Sequence, residues 1–191
     1  SYAAIPIDMK KQNISFLAAS SNKNIQGMAG VCFIIANPEK LENLETIQPR
    51  GFYLSLYEQY QKFRESRQTR FTPPVQTIYA LKQAIIELKN EGMKNRYIRY
   101  SKSWKLLTKT LNDLGLTYLV EAKNHSKIIT SIKIPDEIDF QHMHDYFYQK
   151  GFTIYPGKVP EYNTFRVANI GDIGTQDIDE FNKLLNEYLN K

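Results

Sequence analysis

Three side chains stand where their type and surroundings could do chemistry. The first is Lys23, inside Ser20-Ser21-Asn22-Lys23-Asn24-Ile25-Gln26-Gly27, a polar link between two apolar runs, Ile14 to Ala19 and Val31 to Ala36. Both runs are short and β-branched or aromatic, and both read as buried strands. A lysine at a strand exit can project from the end of a sheet into a cleft, where desolvation turns its amine into a nucleophile. Spacing alone also allows a solvated loop lysine. The second is Thr72, in Phe71-Thr72-Pro73-Pro74. Threonine is a good N-cap and proline suits the first helical position. A helix start exposes unpaired N–H groups that can hold a phosphate, although an ordinary capped helix has the same pattern. The third is Arg166, within Phe165-Arg166-Val167-Ala168-Asn169-Ile170-Gly171. An arginine in an otherwise apolar strand is costly unless it meets an anion, and its planar fork suits a carboxylate. An edge-strand arginine in a structural salt bridge is the plain alternative.

The elements around these residues follow from periodicity. Pro38 to Leu44 reads as a short helix or turn, and Glu45 to Gly51 as a loop. The aromatic stretch Phe52 to Tyr60 turns helical from about Ser55, its rings going to packing, with one tyrosine reaching a site as the alternative. A helix after Pro74 carries Val75, Ile78, Tyr79, Lys82, Ile85 and Ile86 at helical spacing. Asn90 to Asn95, with Gly92, breaks the chain. A long helix then repeats Tyr97, Tyr100, Trp104, Leu107, Leu111 and Leu114 up to a stop at Gly115. Arg96, Arg99, Lys102, Lys105 and Lys109 fall on its other sides and read as solvated. Beyond it, Thr117 to Val120 and Ile128 to Ile134 read as strands. Asp139 caps a helix through Phe140, Met143 and Phe147 that Gly151 ends. Thr153 to Tyr155 and Thr164 to Ile170 are further strands, and Thr175 to Asn190 a last amphipathic helix. The fold class is α/β. The expected domains are 1–92, a linking helix at 93–115, and a small α/β sandwich at 116–191.

Composition narrows the function classes. The chain has 191 residues, 42% of them hydrophobic, enough for an ordinary core in one domain or slightly more. Its formal charge is +5, but the basic residues are dispersed, without the stripe and stacking aromatics of a nucleic-acid surface. An anionic small molecule suits the same charge. No run is long enough to span a bilayer, and the first residues do not read as a signal peptide. One cysteine, Cys32, in an expected buried strand, suits a reducing cytoplasm. His125 lies in a polar loop, while His142 and His144 point to different helix faces. None has metal-ligand spacing.

Ser21-Asn22-Lys23, then Ile25-Gln26-Gly27 and Gly30, resembles the cofactor-lysine segment of the class V aminotransferases. It is similar in particular to the branch that transaminates 2-aminoethylphosphonate with pyruvate. Met28-Ala29-Gly30 lacks the usual proline before the last glycine, and Asn24 replaces a common cysteine. The resemblance extends over Phe52-Tyr53-Leu54, Phe71-Thr72-Pro73-Pro74, Tyr155-Pro156-Gly157-Lys158 and Thr164-Phe165-Arg166 with Asn169-Ile170-Gly171. It implies part of the large domain of a pyridoxal-phosphate-dependent transferase of fold type I, plus its small α/β domain. Lys23 is then the lysine that carries pyridoxal 5'-phosphate, with Ser21 beside it among the cofactor-binding residues. Thr72 contacts the cofactor phosphate of the neighbouring subunit in a homodimer. Arg166 binds the substrate carboxylate, and Lys158 adds positive charge near a phosphonate.

In that family the segment like Ser1 to Asp8 follows an aspartate that pairs with the cofactor's pyridine nitrogen. The expectation is therefore a C-terminal half of a cytoplasmic enzyme, with little activity by itself. The implied reaction gives phosphonoacetaldehyde and alanine from small-molecule substrates, without nucleic acid or membrane. An alanine–glyoxylate or serine–glyoxylate type of class V enzyme stays open, as does a non-catalytic dimerisation or accessory domain.

Overall fold

The structure, a computed structural model, describes residues 2–157 and 159–190. Lys158, noted above for its charge, lies outside the described residues. The chain divides into two compact units, Ser1–Asn90 and Glu91–Lys191.

The first unit begins with an antiparallel pair, β1 (Phe16–Ser20) and β2 (Cys32–Ala36), in register from Phe16 opposite Ala36 to Ser20 opposite Cys32. The expected strands are there, but they are not buried. Each runs half-buried and exposed by turns, and the Cys32 thiol is exposed. A sheet of two strands has too little surface for both faces to be covered within this unit. Next, α1 (Pro38–Glu42) starts at Asn37, whose side chain accepts the Lys40 N–H. A single 3-10 turn, Asn43–Thr46, follows. Ser55 caps α2 (Leu56–Ser66) by accepting the Glu58 N–H. The aromatic run before it lies outside: Phe52 is 76% exposed, with its ring against Phe71 and the Arg70 guanidinium.

After Pro74 comes α3 (Val75–Glu91). The side chains that repeat along it at helical spacing, Val75, Ile78, Tyr79, Ile85 and Ile86, are exposed, whereas Ala84 and Leu88 are buried. The unit's core is correspondingly small, with Ala3, Ile25, Ala84 and Leu88 at its centre and Tyr2, Phe33 and Leu81 around it.

In the second unit, Gly92 with φ +80° separates α3 from α4 (Met93–Asp113), a conformation that costs glycine nothing. Tyr100, Trp104, Leu107 and Leu111 of α4 are buried, and its core positions belong to this unit. Arg96 and Arg99 depart from the expected solvated surface. Arg96 is 2% exposed and Arg99 half-buried, because both meet Glu91 across the Gly92 break. The strand expected at Thr117–Val120 reduces to one bridge, Tyr118 to Ile132, before a 3-10 turn at Ala122–Asn124 diverts the chain.

The sheet proper is β3 (Ile129–Lys133), β4 (Tyr155–Pro156) and β5 (Thr164–Ala168), antiparallel and in the order β3-β5-β4. Between β3 and β4 lies α5 (Phe140–Gln149), with Asp139 accepting the His142 N–H at 2.8 Å. The last helix is α6 (Thr175–Leu189), where the Asp177 carboxylate accepts the Gly174 N–H at 2.7 Å. Leu107, Ile132, Met143, Phe147, Phe165, Phe181 and Leu185 form the core, with the Phe147 and Phe181 rings stacked at 4.9 Å. Each such side chain contributes about 1.5–3 kcal/mol on burial, so most of the apolar stabilisation lies in this unit.

Candidate functional site

Lys23 lies in the turn that leaves β1. The turn is pinned on both sides of the lysine. Ser21, fully buried, accepts the Gly27 N–H at 2.8 Å and takes the Val31 carbonyl at 3.0 Å through its own N–H. Its hydroxyl donates to the Met28 carbonyl. Downstream, Asn24 and Ile25 are buried, and Ile25 joins Ala84 and Leu88 of α3 in the small core. Gly27 sits close to the same helix, where an added Cβ would come 3.5 Å from the Ala84 Cβ and 3.1 Å from the Ser21 carbonyl. Gln26 takes a left-handed conformation, φ +66°, unusual for a residue with a side chain. Lys23 itself is exposed. The expected desolvating cleft is therefore not supplied around the amine by this unit, although the backbone that holds it is fixed. Ser21, expected among the cofactor-binding residues, has its side chain buried in the turn, where its hydroxyl bonds to the Met28 carbonyl.

Thr72 is not the N-cap. The Pro74 carbonyl accepts the first helical bond, from the Ile78 N–H at 3.0 Å, so Pro74 takes that position. A proline there has no side-chain acceptor to offer, so among the described residues the N–H groups of the first turn of α3 have no side-chain cap, beside an exposed Thr72. Phe71, packed between the Phe52 and Tyr53 rings at 5.6 and 4.8 Å, anchors the residue next to it. From Val75 to Ala84, where the lysine turn is seated, α3 runs about 14 Å. Lys23, Ser21 and Thr72 thus belong to the first unit, and Arg166 to the second.

Arg166 is half-buried on β5, which is the central strand and not an edge. Its neighbours Phe165 and Val167 point into the core. Among the described residues no carboxylate lies within ion-pair distance of it, so the structural salt bridge allowed by the sequence is absent. Among the described residues its one side-chain hydrogen bond runs from Nε–H to the Pro156 carbonyl at 3.0 Å. Arg166 lines a cavity of about 440 Å³ with Tyr155, Ile170 and Asp172.

Two clusters escaped the sequence. Glu91 pairs with Arg96 at 2.6 Å and Arg99 at 2.9 Å, and Arg99 also donates to the Gly171 and Ile173 carbonyls. Partial burial pushes the Glu91 carboxyl up, but the Arg99 and Arg96 guanidiniums outweigh it and hold it below its ordinary value of 4.5. The glycine break hides this cluster from any single helical repeat. His125 is not a solvated loop residue. It is 8% exposed, its ring is 4.9 Å from Trp104, and its Nδ1 accepts the Lys127 N–H at 2.8 Å. Burial, and secondly the Lys127 charge, lower its pKa from 6.5.

The model of the aminotransferase class-V family matches residues 1–161 of the chain. The chain belongs to the class V aminotransferases. Among curated relatives, a 2-aminoethylphosphonate–pyruvate transaminase of Bacillus cereus is 40% identical over 182 residues, 94% of this chain and 50% of the relative. One of Bacillus mycoides is 39% identical over a similar span. The chain spans about half the length of the curated relatives it matches. Solved class V folds agree. An alanine–glyoxylate aminotransferase from Nostoc sp. superposes with a TM-score of 0.88 at 21% identity, over 100% of this chain and 52% of that one. A pyridoxamine–pyruvate aminotransferase from Mesorhizobium loti does so with 0.90 at 17%, over 100% and 50%. At these identities the superpositions establish the α/β fold of this class V chain. No described helix is long and apolar enough to cross a membrane.

Proposed function

We propose that this chain carries the lysine and the carboxylate-binding arginine of a pyridoxal-phosphate-dependent transaminase acting on 2-aminoethylphosphonate and pyruvate. The observation that carries the reading is Lys23: an exposed amine, free of partners among the described residues, on a turn whose backbone is pinned at Ser21, Ile25 and Gly27. Those features fit pyridoxal phosphate. An aldehyde needs an accessible amine, and a phosphate needs donors such as those at the start of α3 beside Thr72. When bound, the cofactor supplies the electron sink that makes the substrate's C–H bond acidic.

Lys23 Nζ takes the proton from the carbon that bears the substrate amine, as a general base held by its turn. Thr72 contributes its hydroxyl to the phosphate, toward the site of a neighbouring subunit in a homodimer. Exposed Ile78, Ile85 and Ile86 on α3 give apolar surface that favours a covered state. Arg166, with no ion-paired carboxylate among the described residues, takes that of pyruvate. Ser21 acts through the lysine turn. A lone exposed Cys32 suits a reducing cytoplasm.

The test is release of phosphonoacetaldehyde from 2-aminoethylphosphonate and pyruvate by a full-length enzyme containing this chain. Alanine or serine with glyoxylate serves as the competing pair. Preference for the phosphonate supports the reading. Preference for glyoxylate assigns another branch of class V, and no turnover of either pair with cofactor present overturns it.

A further inference from the structure

We propose that the Tyr155-Pro156-Gly157 turn is the positioning device of Arg166, fixing its guanidinium so that only the two terminal nitrogens face a substrate carboxylate. The inference rests on the reading of Arg166 as the carboxylate-binding residue.

A guanidinium can bind a carboxylate bidentately along two edges. One uses Nε and one Nη, the other both Nη atoms. Here the Nε–H is already given to the Pro156 carbonyl at 3.0 Å. That leaves the end-on edge, which makes no hydrogen bond or ion pair with any described residue. The carbonyl can reach Nε because β4 pairs with β5 at Tyr155–Arg166 and Pro156–Phe165, and because Gly157 closes the pairing. The Gly157 N–H donates to the Thr164 carbonyl at 2.6 Å. A Cβ at this glycine would lie 1.7 Å from Thr164 Oγ1 and 2.8 Å from the Thr164 carbonyl oxygen. The hydroxyl could rotate away, but the backbone oxygen could not. Any other residue at 157 must therefore lift the turn, and with it the Pro156 carbonyl. Water competes for this solvent-exposed bond from the charged guanidinium, so its contribution to stability is small. Its consequence is directional: it removes rotamer freedom from a long side chain before the ligand arrives.

The test has two arms. In the isotopically labelled chain, the Arg166 Nε–H exchanges more slowly than those of exposed arginines, and Gly157→Ala abolishes that protection. In a full-length enzyme containing the chain, Gly157→Ala raises KM for pyruvate about tenfold. kcat at saturation and KM for the amino donor stay unchanged, a split that general loss of folding would not produce. Arg166→Gln raises the same KM further. Should Arg166→Gln leave KM for pyruvate unaltered, the carboxylate reading itself fails. If Arg166→Gln raises it but Gly157→Ala does not, or if the Nε–H of the unsubstituted chain exchanges freely, the positioning role is overturned and the carboxylate reading stands.

Discussion

The Ser21 carbonyl accepts the Gly27 N–H at 2.8 Å, closing the turn that bears Lys23 between a fully buried serine and a glycine seated near Ala84 of α3. The amine is thereby held by backbone, while its own side chain stays in solvent. Gly27→Ala places a Cβ 3.1 Å from that carbonyl and pushes the turn off the helix. We expect a loss of about 1–3 kcal/mol in denaturant unfolding, with reduced turnover in a full-length enzyme. A variant as stable and as active as the parent would show that the turn tolerates displacement.

Lys23→Ala should behave in the opposite way. The side chain is exposed and has no partner among the described residues, so thermal unfolding should move by less than about 2 °C. Turnover should fall by several orders of magnitude, since the base and the cofactor's attachment are lost together. Measured side by side, unchanged melting and absent activity separate a chemical role from a structural one.

Glu91 joins the two arginines at the start of the second unit. Its folded pKa is depressed, so the stability it contributes is present above the unfolded value of 4.5 and is lost as pH falls through the lower folded value. Glu91→Gln should cost about 1–3 kcal/mol at neutral pH, because Arg96 is buried, and should flatten the acid limb of stability below pH 4.5. Urea midpoints across that range are the measurement.

His125 sets a second pH window. Its folded pKa lies below 6.5, so the folded state favours the neutral ring. Its contribution is fully present above 6.5 and is lost as pH falls from 6.5 through the folded value, because the unfolded chain binds the proton more tightly. Melting of the second unit, followed by Trp104 fluorescence, should therefore fall with acidification in that window. His125→Asn, which keeps an acceptor for the Lys127 N–H, should remove most of that slope.

Local pattern carried the elements a long way. Asn37, Ser55 and Asp139 cap helices because a short polar side chain can reach the N–H three residues on, a relation written entirely in adjacent sequence. Thr72 shows the limit. Two prolines follow it, and the helix begins two residues later than the cap rule suggests because Pro74 supplies the first accepting carbonyl. Likewise Val75, Ile78, Tyr79, Ile85 and Ile86 show helical spacing, but spacing cannot say whether a face meets a core, and in this unit it does not.

What the order of residues settled alone was local and compositional: the run of helices and strands, the apolar stripe of α4, the lysine turn between two strands, and the family those motifs resemble. These depend on neighbours within a few positions. Tertiary structure decided the rest. It drew Arg96 and Arg99 out of solvent onto Glu91, buried His125 against Trp104, sealed the Ser21 hydroxyl inside its turn and put Arg166 on a central strand with no ion pair among the described residues. Charge and desolvation depend on what lies across space, and a linear chain does not say which distant groups will share a low-dielectric neighbourhood.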